Sequence, residues 1–457
     1  MNRIPAPTLS QAYAISPLDG RNHLKISSLS EYFSEFALNK YRTKVELEYL
    51  LKLSEWKVVR KLSAKETSKI VGIYKDFNLD DYFEIKRIES KTNHDVKAVE
   101  YFLRQKLEKA HLDDLTPYLH LGLTSEDTNN LAYGLILREF NEKVLVGELQ
   151  VIIYRLLEMS KKYKGVEMMA RTHGQPAVAT TVGKELGNYC YRLSKLQKKL
   201  KTFKFEGKLN GAVGNLNAHK TLIPNIDWLK VSRSFVMELG LEPNLYTTQI
   251  LFYDNWMEYF QAIILVNSVL VDLSINVWQS IMLNIYILQK KEGEVGSSTM
   301  PQKVNPINFE HAEGNLLLAN SMMEFFVRKL TSSRLQRDLS DSTIRRNFGE
   351  SLGYTVLGWK SVFEGLNKLS VNKKHLEDEL LGHWEILTEA VQTALRLKGD
   401  KDGYEKIKKI SRGKVINKKS YTKMLNDLGL SDNKKLQDLN PIKYSGYSIE
   451  LINKLKI

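Results

Sequence analysis

The chain has 457 residues, 43% hydrophobic and 26% charged, with one cysteine, Cys190. That length allows two to four domains with ample cores, and a single cysteine excludes an intrachain disulfide and fits a reducing compartment. The formal charge of +14 admits a nucleic-acid, membrane-surface or anionic small-molecule partner. The lysines are spread along the whole chain, however, which reads as a solvated basic surface. The densest stretch, Lys398 to Lys423, has only Tyr404 and Tyr421 as interleaved aromatics and is predicted to be an exposed basic helix pair with no nucleic-acid role.

The N-terminal stretch carries no apolar run of signal-peptide length, so a cytoplasmic protein is expected. Ser16-Pro17-Leu18-Asp19-Gly20-Arg21 is predicted to be a turn with a basic end. Helical patterns begin near Leu29 and cover Val96 to Leu107. Leu149, Ile152, Ile153, Leu156 and Met159 form one apolar stripe. Val182, Leu186, Tyr189, Leu193, Leu196, Leu200 and Phe203 alternate steps of four and three, the seam of a long bundle helix. Neither proline nor glycine occurs from Asn244 to Glu292, and Trp256 to Leu288 is predicted to be one or two long helices. Its most apolar part, Ala262 to Leu273, is interrupted by Asn267 and Asp272 and falls short of the roughly 20 apolar residues of a membrane span. A helix apolar on several faces belongs inside a multi-helix bundle, one shared between subunits. Polar, glycine-punctuated segments separate these helices and are read as loops: Thr172 to Pro176, Asn210 to Asn215, and Lys291 to Ser298. Chemistry usually sits on such loops. Shorter helices close the chain.

Five segments carry chemistry. The first is Gly296-Ser297-Ser298-Thr299-Met300-Pro301-Gln302-Lys303-Val304-Asn305-Pro306. Glycine and paired serines give a mobile loop rich in backbone N–H groups, and the lysine adds a cation, together a cradle for a carboxylate. Donors aimed at developing negative charge contribute about 10²–10³ in rate apiece. The second, Arg171-Thr172-His173-Gly174-Gln175-Pro176, offers an imidazole that titrates near neutrality. The third, Thr92-Asn93-His94-Asp95, also reads as a helix N-cap, and the fourth, Thr124-Ser125-Glu126-Asp127, as a capping box. The fifth, Gln336 to Arg346, sets Arg337, Arg345 and Arg346 among the hydroxyls of Ser340, Ser342 and Thr343, a natural phosphate or carboxylate clamp. There is no C-x-x-C or H-E-x-x-H motif, Walker loop or dinucleotide fingerprint, so no metal or cofactor is expected.

The first segment matches G-S-S-x-M-P-x-K-x-N-P, a match with odds on the order of 10⁻¹⁰ by chance. On it the chain resembles the fumarase/aspartase superfamily. The T-H-G-Q-P, T-x-H-D and T-S segments place the resemblance in the adenylosuccinate lyase branch. It implies an all-α, three-domain fold with a long central bundle, divided at 1–112, 113–365 and 366–457, and a homotetramer whose sites are completed by several subunits. It also implies release of fumarate from adenylosuccinate and from the succinylated aminoimidazole carboxamide ribotide (SAICAR), giving AMP and AICAR. Ser297 would be the base and His173 the acid, with His94, Lys303 and Glu310 in support. Arg21, Asn22, Asn93, Asp95, Thr124, Ser125, Gln249, Ser298, Met300, Asn305, Arg337, Ser342, Thr343, Arg345 and Arg346 would contact substrate. Gln302, Asn22 and His311 depart from the branch's usual residues. Argininosuccinate lyase and aspartase are the nearest rivals. Their substrates lack the phosphate that the arginine cluster would meet.

Overall fold

The structure, a computed structural model, describes residues 8–290, 293, 296 and 298–457. Ser297 lies outside them, as does part of the loop expected from Lys291 to Ser298. The described residues are overwhelmingly helical, as expected. The helices used below are α1 (Glu35–Glu55), α2 (Asp95–Lys109), α3 (Ser125–Phe140), α4 (Val146–Lys162), α5 (Val182–Lys201), α6 (Asp254–Met282), α7 (Ile307–Leu330), α8 (Ser340–Arg345), α9 (Phe348–Asn367) and α10 (Lys373–Leu381). The strands are β1 (Glu167–Thr172), β2 (Gln175–Thr181), β3 (Tyr286–Leu288) and β4 (Leu369–Val371). The basic stretch near the C-terminus forms the expected pair, Gly403–Ser411 and Lys418–Asp427.

The chain divides into two compact units. One comprises the described residues up to Glu148 together with Gln197–Ser268 and Gly314–Gly358. Its core gathers Tyr133, Trp256, Phe260 and Phe326 around Phe348, with ring centroids 4.8 to 6.4 Å from it. Helix α1 starts where the Ser34 hydroxyl accepts the Ala37 N–H, an N-cap worth about 1 kcal/mol. It buries Leu38, Arg42, Val45 and Tyr49 along one face. In α3 nearly every residue is buried, including the consecutive polar residues Glu126 to Asn130.

The second unit comprises Leu149–Leu196, the described part of Val269–Glu313, and Trp359–Ile457. Its C-terminal helices enclose a core of Leu380, Trp384, Leu387, Val391, Ile407, Tyr421 and Met424 that takes in Met169 of β1 and Ala179 of β2. The stripe read on α4 is buried throughout. In the predicted seam of α5, Val182, Leu186, Tyr189, Leu193 and Leu200 are buried.

Two sequence expectations change. Trp256 to Leu288 is one helix that ends at Met282. Asn284, in the left-handed region at φ 57°, turns the chain into β3, which pairs with β4. By length and composition α6 is also apolar enough to cross a membrane, contrary to the shorter count from sequence. Half of that window is nevertheless buried against the protein itself. Within the first unit the buried Asn267 amide donates to Asn320 (3.0 Å) and Thr355 (3.2 Å), the satisfied polar contact of a core helix.

The turn that leads into α3 is held by an ion pair, His120 Nδ1 to Glu46 Oε1 at 2.7 Å, on the same carboxylate oxygen that accepts the Thr128 hydroxyl. Burial pulls the His120 pKa down, but the charge and hydrogen bond of Glu46 outweigh it and the pKa lies above its ordinary value. The pair's stabilisation is therefore complete below about pH 6.5 and fades as pH rises through the higher folded value. Glu46→Gln is expected to lower the melting temperature more at about pH 6 than at about pH 9, as read by thermal unfolding at both.

Candidate active site

The buried start of α3 organises one group of site residues, all in the first unit. Asp127 accepts the Thr124 N–H at 2.9 Å, closing the predicted capping box. It also pairs with the fully buried Lys208 ammonium at 3.0 Å and accepts the backbone N–H groups of Asn210 and Gly211. Glu126 takes both guanidinium nitrogens of Arg345 at 2.8 and 2.9 Å, with the Tyr253 hydroxyl at 2.6 Å and Arg337 at 3.3 Å. Asp341 adds a second carboxylate to Arg345 at 2.9 Å. Arg337 reaches Gln249 at 3.4 Å, and Gln249 donates to the Ala212 carbonyl. The Arg337 Nε has no partner among the described residues.

The same network continues to the T-N-H-D segment. Asn93 occupies the left-handed region at φ 51° and turns the chain into α2. His94 itself is the N-cap, its Nδ1 accepting the Lys97 N–H at 3.2 Å, where the sequence pointed to the preceding Thr or Asn. Asp95 receives Arg42 at 2.7 Å and Arg346 at 3.1 Å. Burial raises the Asp95 pKa, but the Arg42 and Arg346 charges and the Val96 N–H overcome that and hold it at about 2. The carboxylate is thus ionised at any physiological pH. Arg346 also donates to the Ser342 hydroxyl at 2.6 Å and pairs with Glu35 at 3.2 Å. It lines a cavity of about 290 Å³ with Asp19 and His23 of the S-P-L-D-G-R turn. Arg21 and Thr343 are exposed, and Asn22, Ser125 and Ser342 half-buried.

Arg345 does not fit the role expected for it. It is 1% exposed, and its terminal nitrogens are committed to Glu126 and Asp341. Buried with both terminal nitrogens held by two carboxylates, Arg345 is linked to Arg337 through the shared Glu126 and Asp341, and its Nε, like that of Arg337, has no partner among the described residues.

The second group belongs to the other unit. Thr172 to Pro176, read from sequence as a loop, is the tip of the β1–β2 hairpin, with Thr172 paired to Gln175. His173 and Gly174 are its two turn residues, at φ 54° and 73°. A two-residue turn with both φ positive matches the right-handed twist of its strands. Glycine takes such a conformation without strain. The His173 imidazole is exposed and has no hydrogen-bond partner among the described residues. The hairpin stem is tied down by Met169 and Ala179 in the C-terminal core and by an ion pair from Arg171 to Glu379 of α10.

In the signature loop the Asn305 amide donates to the Gly296 carbonyl at 2.7 Å, and the Lys303 N–H to the Met300 carbonyl. A β-carbon at Gly296 would collide with the Lys303 carbonyl, so only glycine allows this approach. Gly296, Lys303, Asn305 and Pro306 line a cavity of about 500 Å³ with Gln289, Phe309 and Lys368. Ser298, Met300 and Lys303 are exposed. Glu310 sits in the first turn of α7, where it accepts the Trp278 indole N–H at 3.1 Å.

Sequence reading missed Arg42, Glu126, Asp341 and Trp278. Of these, Arg42 did leave a signal. Arg42 falls on the apolar register Leu38, Val45, Tyr49, and a charge in a core register marks a buried pair.

The helical fold, the glycine–serine loop and the displayed histidine define a lyase of the fumarase/aspartase type. The lyase family model matches residues 20–319, and a model described as adenylosuccinate lyase C-terminal matches residues 333–445. The chain is 43% identical to adenylosuccinate lyase of Haemophilus influenzae (strain ATCC 51907 / DSM 11121 / KW20 / Rd) over 98% of its length and 99% of that relative. It is 40% identical to that of Escherichia coli (strain K12) over 98% and 100%. Two solved structures share the fold at 16% identity. A fumarate lyase from Mesorhizobium sp. BNC1 has a TM-score of 0.74 over 93% of this chain and 96% of that one. A 3-carboxy-cis,cis-muconate lactonizing enzyme from Pseudomonas putida has 0.75 over 97% of each. The chain belongs to the adenylosuccinate lyase family, and it is a carbon–nitrogen lyase.

Removing Glu126 alone takes a carboxylate away from the buried Arg345 and the partly buried Arg337. Glu126→Ala is expected to cost about 3–5 kcal/mol in unfolding free energy. Replacing Glu126 and Arg345 together by methionine is expected to recover much of that loss, because no unpaired charge is left behind. Chemical unfolding of the two variants checks both.

Proposed function

We propose that the enzyme releases fumarate from adenylosuccinate, leaving AMP, and from SAICAR, leaving AICAR, by acid–base β-elimination. Ser297 removes the proton from the carbon beside the succinyl carboxylate. The electron pair forms the fumarate double bond as the carbon–nitrogen bond breaks, and His173 delivers a proton to the departing nitrogen. Negative charge grows on the carboxylate during proton removal. Lys303, Asn305 and the loop amides near Ser298 and Met300 stabilise it there, about 10²–10³ in rate per positioned donor. Glu310 and His94 support the acid. Arg21, Arg337, Arg346, Ser342, Thr343 and Gln249 receive the nucleotide phosphate and body, with Asn22, Asn93 and Asp95 beside them, and Thr124 and Ser125 take a carboxylate. Arg345 acts through Glu126. No cofactor enters the scheme. The observation that carries this reading is the His173 imidazole, exposed and without a hydrogen-bond partner among the described residues, on a hairpin tip whose stem is anchored in a packed core.

The working form is a cytoplasmic homotetramer with sites shared between subunits, each divided at 1–112, 113–365 and 366–457, and it engages neither nucleic acid nor membrane. Support for the assembly comes from large apolar side chains left exposed on the long helices: Ile275, Trp278 and Met282 on α6, and Leu317, Leu318 and Phe325 on α7. Large apolar side chains left exposed on each of these helices call for a covering subunit.

Purified protein is expected to convert adenylosuccinate with appearance of fumarate, followed by ultraviolet absorbance. Product from argininosuccinate and none from adenylosuccinate would overturn the assignment. His173→Ala and Ser297→Ala are each expected to lose about 10²–10⁴ in kcat while sedimentation still reports a tetramer. A mixture of the two variants, dissociated and reassembled, is expected to regain activity if sites are shared. A monomer in sedimentation would refute the shared site.

A further inference from the structure

Glu310 has a tether that the reaction scheme does not use. The indole N–H of Trp278 on α6 donates to its Oε1 at 3.1 Å. The other carboxylate oxygen has no hydrogen-bond partner among the described residues, and Glu310 itself is exposed in the first turn of α7. A free glutamate at such a place samples several rotamers. An indole N–H is a donor that can neither ionise nor accept a proton at any working pH, so it can hold one oxygen without competing for the proton that the other oxygen handles. Trp278 is 42% exposed, which is costly for so large an apolar ring unless another element covers it.

We infer that Trp278 is a positioning residue. It fixes one oxygen of Glu310 so that the other is presented in a single orientation to the N–H of the imidazole acid. The inference rests on the role given to Glu310 above. Its chemistry is a hydrogen bond, with no bond made or broken at Trp278. Fixing the carboxylate keeps its negative charge at constant distance from the imidazole. Loosening the carboxylate therefore lowers kcat, while substrate affinity is barely touched.

The test is steady-state kinetics on the intact enzyme with adenylosuccinate. Trp278→Phe removes the N–H and keeps an aromatic ring. Trp278→His keeps a ring N–H donor. Glu310→Gln and the double variant Trp278→Phe/Glu310→Gln complete a cycle. Trp278→Phe is expected to lower kcat about tenfold with KM within about twofold of wild type. Trp278→His should recover part of the loss, and the double variant should be no slower than Glu310→Gln alone. Melting temperature and sedimentation of each variant separate this from misfolding. If Glu310→Gln is impaired but Trp278→Phe keeps wild-type kcat, or if the two losses multiply, the inference fails and the scheme stands. If Glu310→Gln itself keeps wild-type kcat, the role of Glu310 in the scheme fails.

Discussion

Burying Glu126 and Asp127 side by side at the first turn of α3 is the constraint on which the arginine cluster of the first unit depends. Each carboxylate taken out of water costs several kcal/mol unless it is paired and hydrogen-bonded. Both are satisfied through contacts far away in sequence: Arg345 and Arg337 for Glu126, Lys208 and the amides of Asn210 and Gly211 for Asp127. Asn129 and Asn130 continue the pattern toward Arg42 and Lys208. The helix start thus pulls together α1, α2, α8 and the Asn210 turn. Because removal of any one partner leaves a buried charge, the geometry is set within narrow limits.

From that anchor the arginines separate by burial. Arg345 and Arg42 are wholly inside and act on other protein groups. Arg337, partly buried, keeps a donor unpaired, and Arg346, 38% exposed, borders a cavity. An arginine cluster held by buried carboxylates presents its outer members to a ligand without having to order them on binding, which is the advantage of preorganisation. The basic surplus of the whole chain lies mostly elsewhere, on solvated surface.

The second unit solves a different problem, the display of a titratable ring and a loop rich in amides. A two-residue turn leaves His173 little backbone freedom, and the Arg171–Glu379 pair with the Met169 and Ala179 contacts stops the hairpin from swinging. In the signature loop, the Asn305 side chain and Gly296 close the base against Lys303. The lyase match covers the segments that carry both groups, and the C-terminal match covers Arg337 to Arg346.

The amino-acid sequence by itself determined the helical class, the stripes of α4 and α5, the capping box at Thr124, and the motifs that carry the chemistry. These depend on residue type and near spacing, and periods of three and four residues are local properties. Tertiary structure decided what local pattern cannot encode. Thr172 to Pro176 is a hairpin because its flanks find a C-terminal core more than 200 residues away. Arg345 turns inward because Glu126 and Asp341 are already buried there. Trp278 meets Glu310 because α6 and α7 pack side by side at that level. Pairings between distant residues follow from which surfaces are removed from water together, and that is settled only when the whole chain has folded.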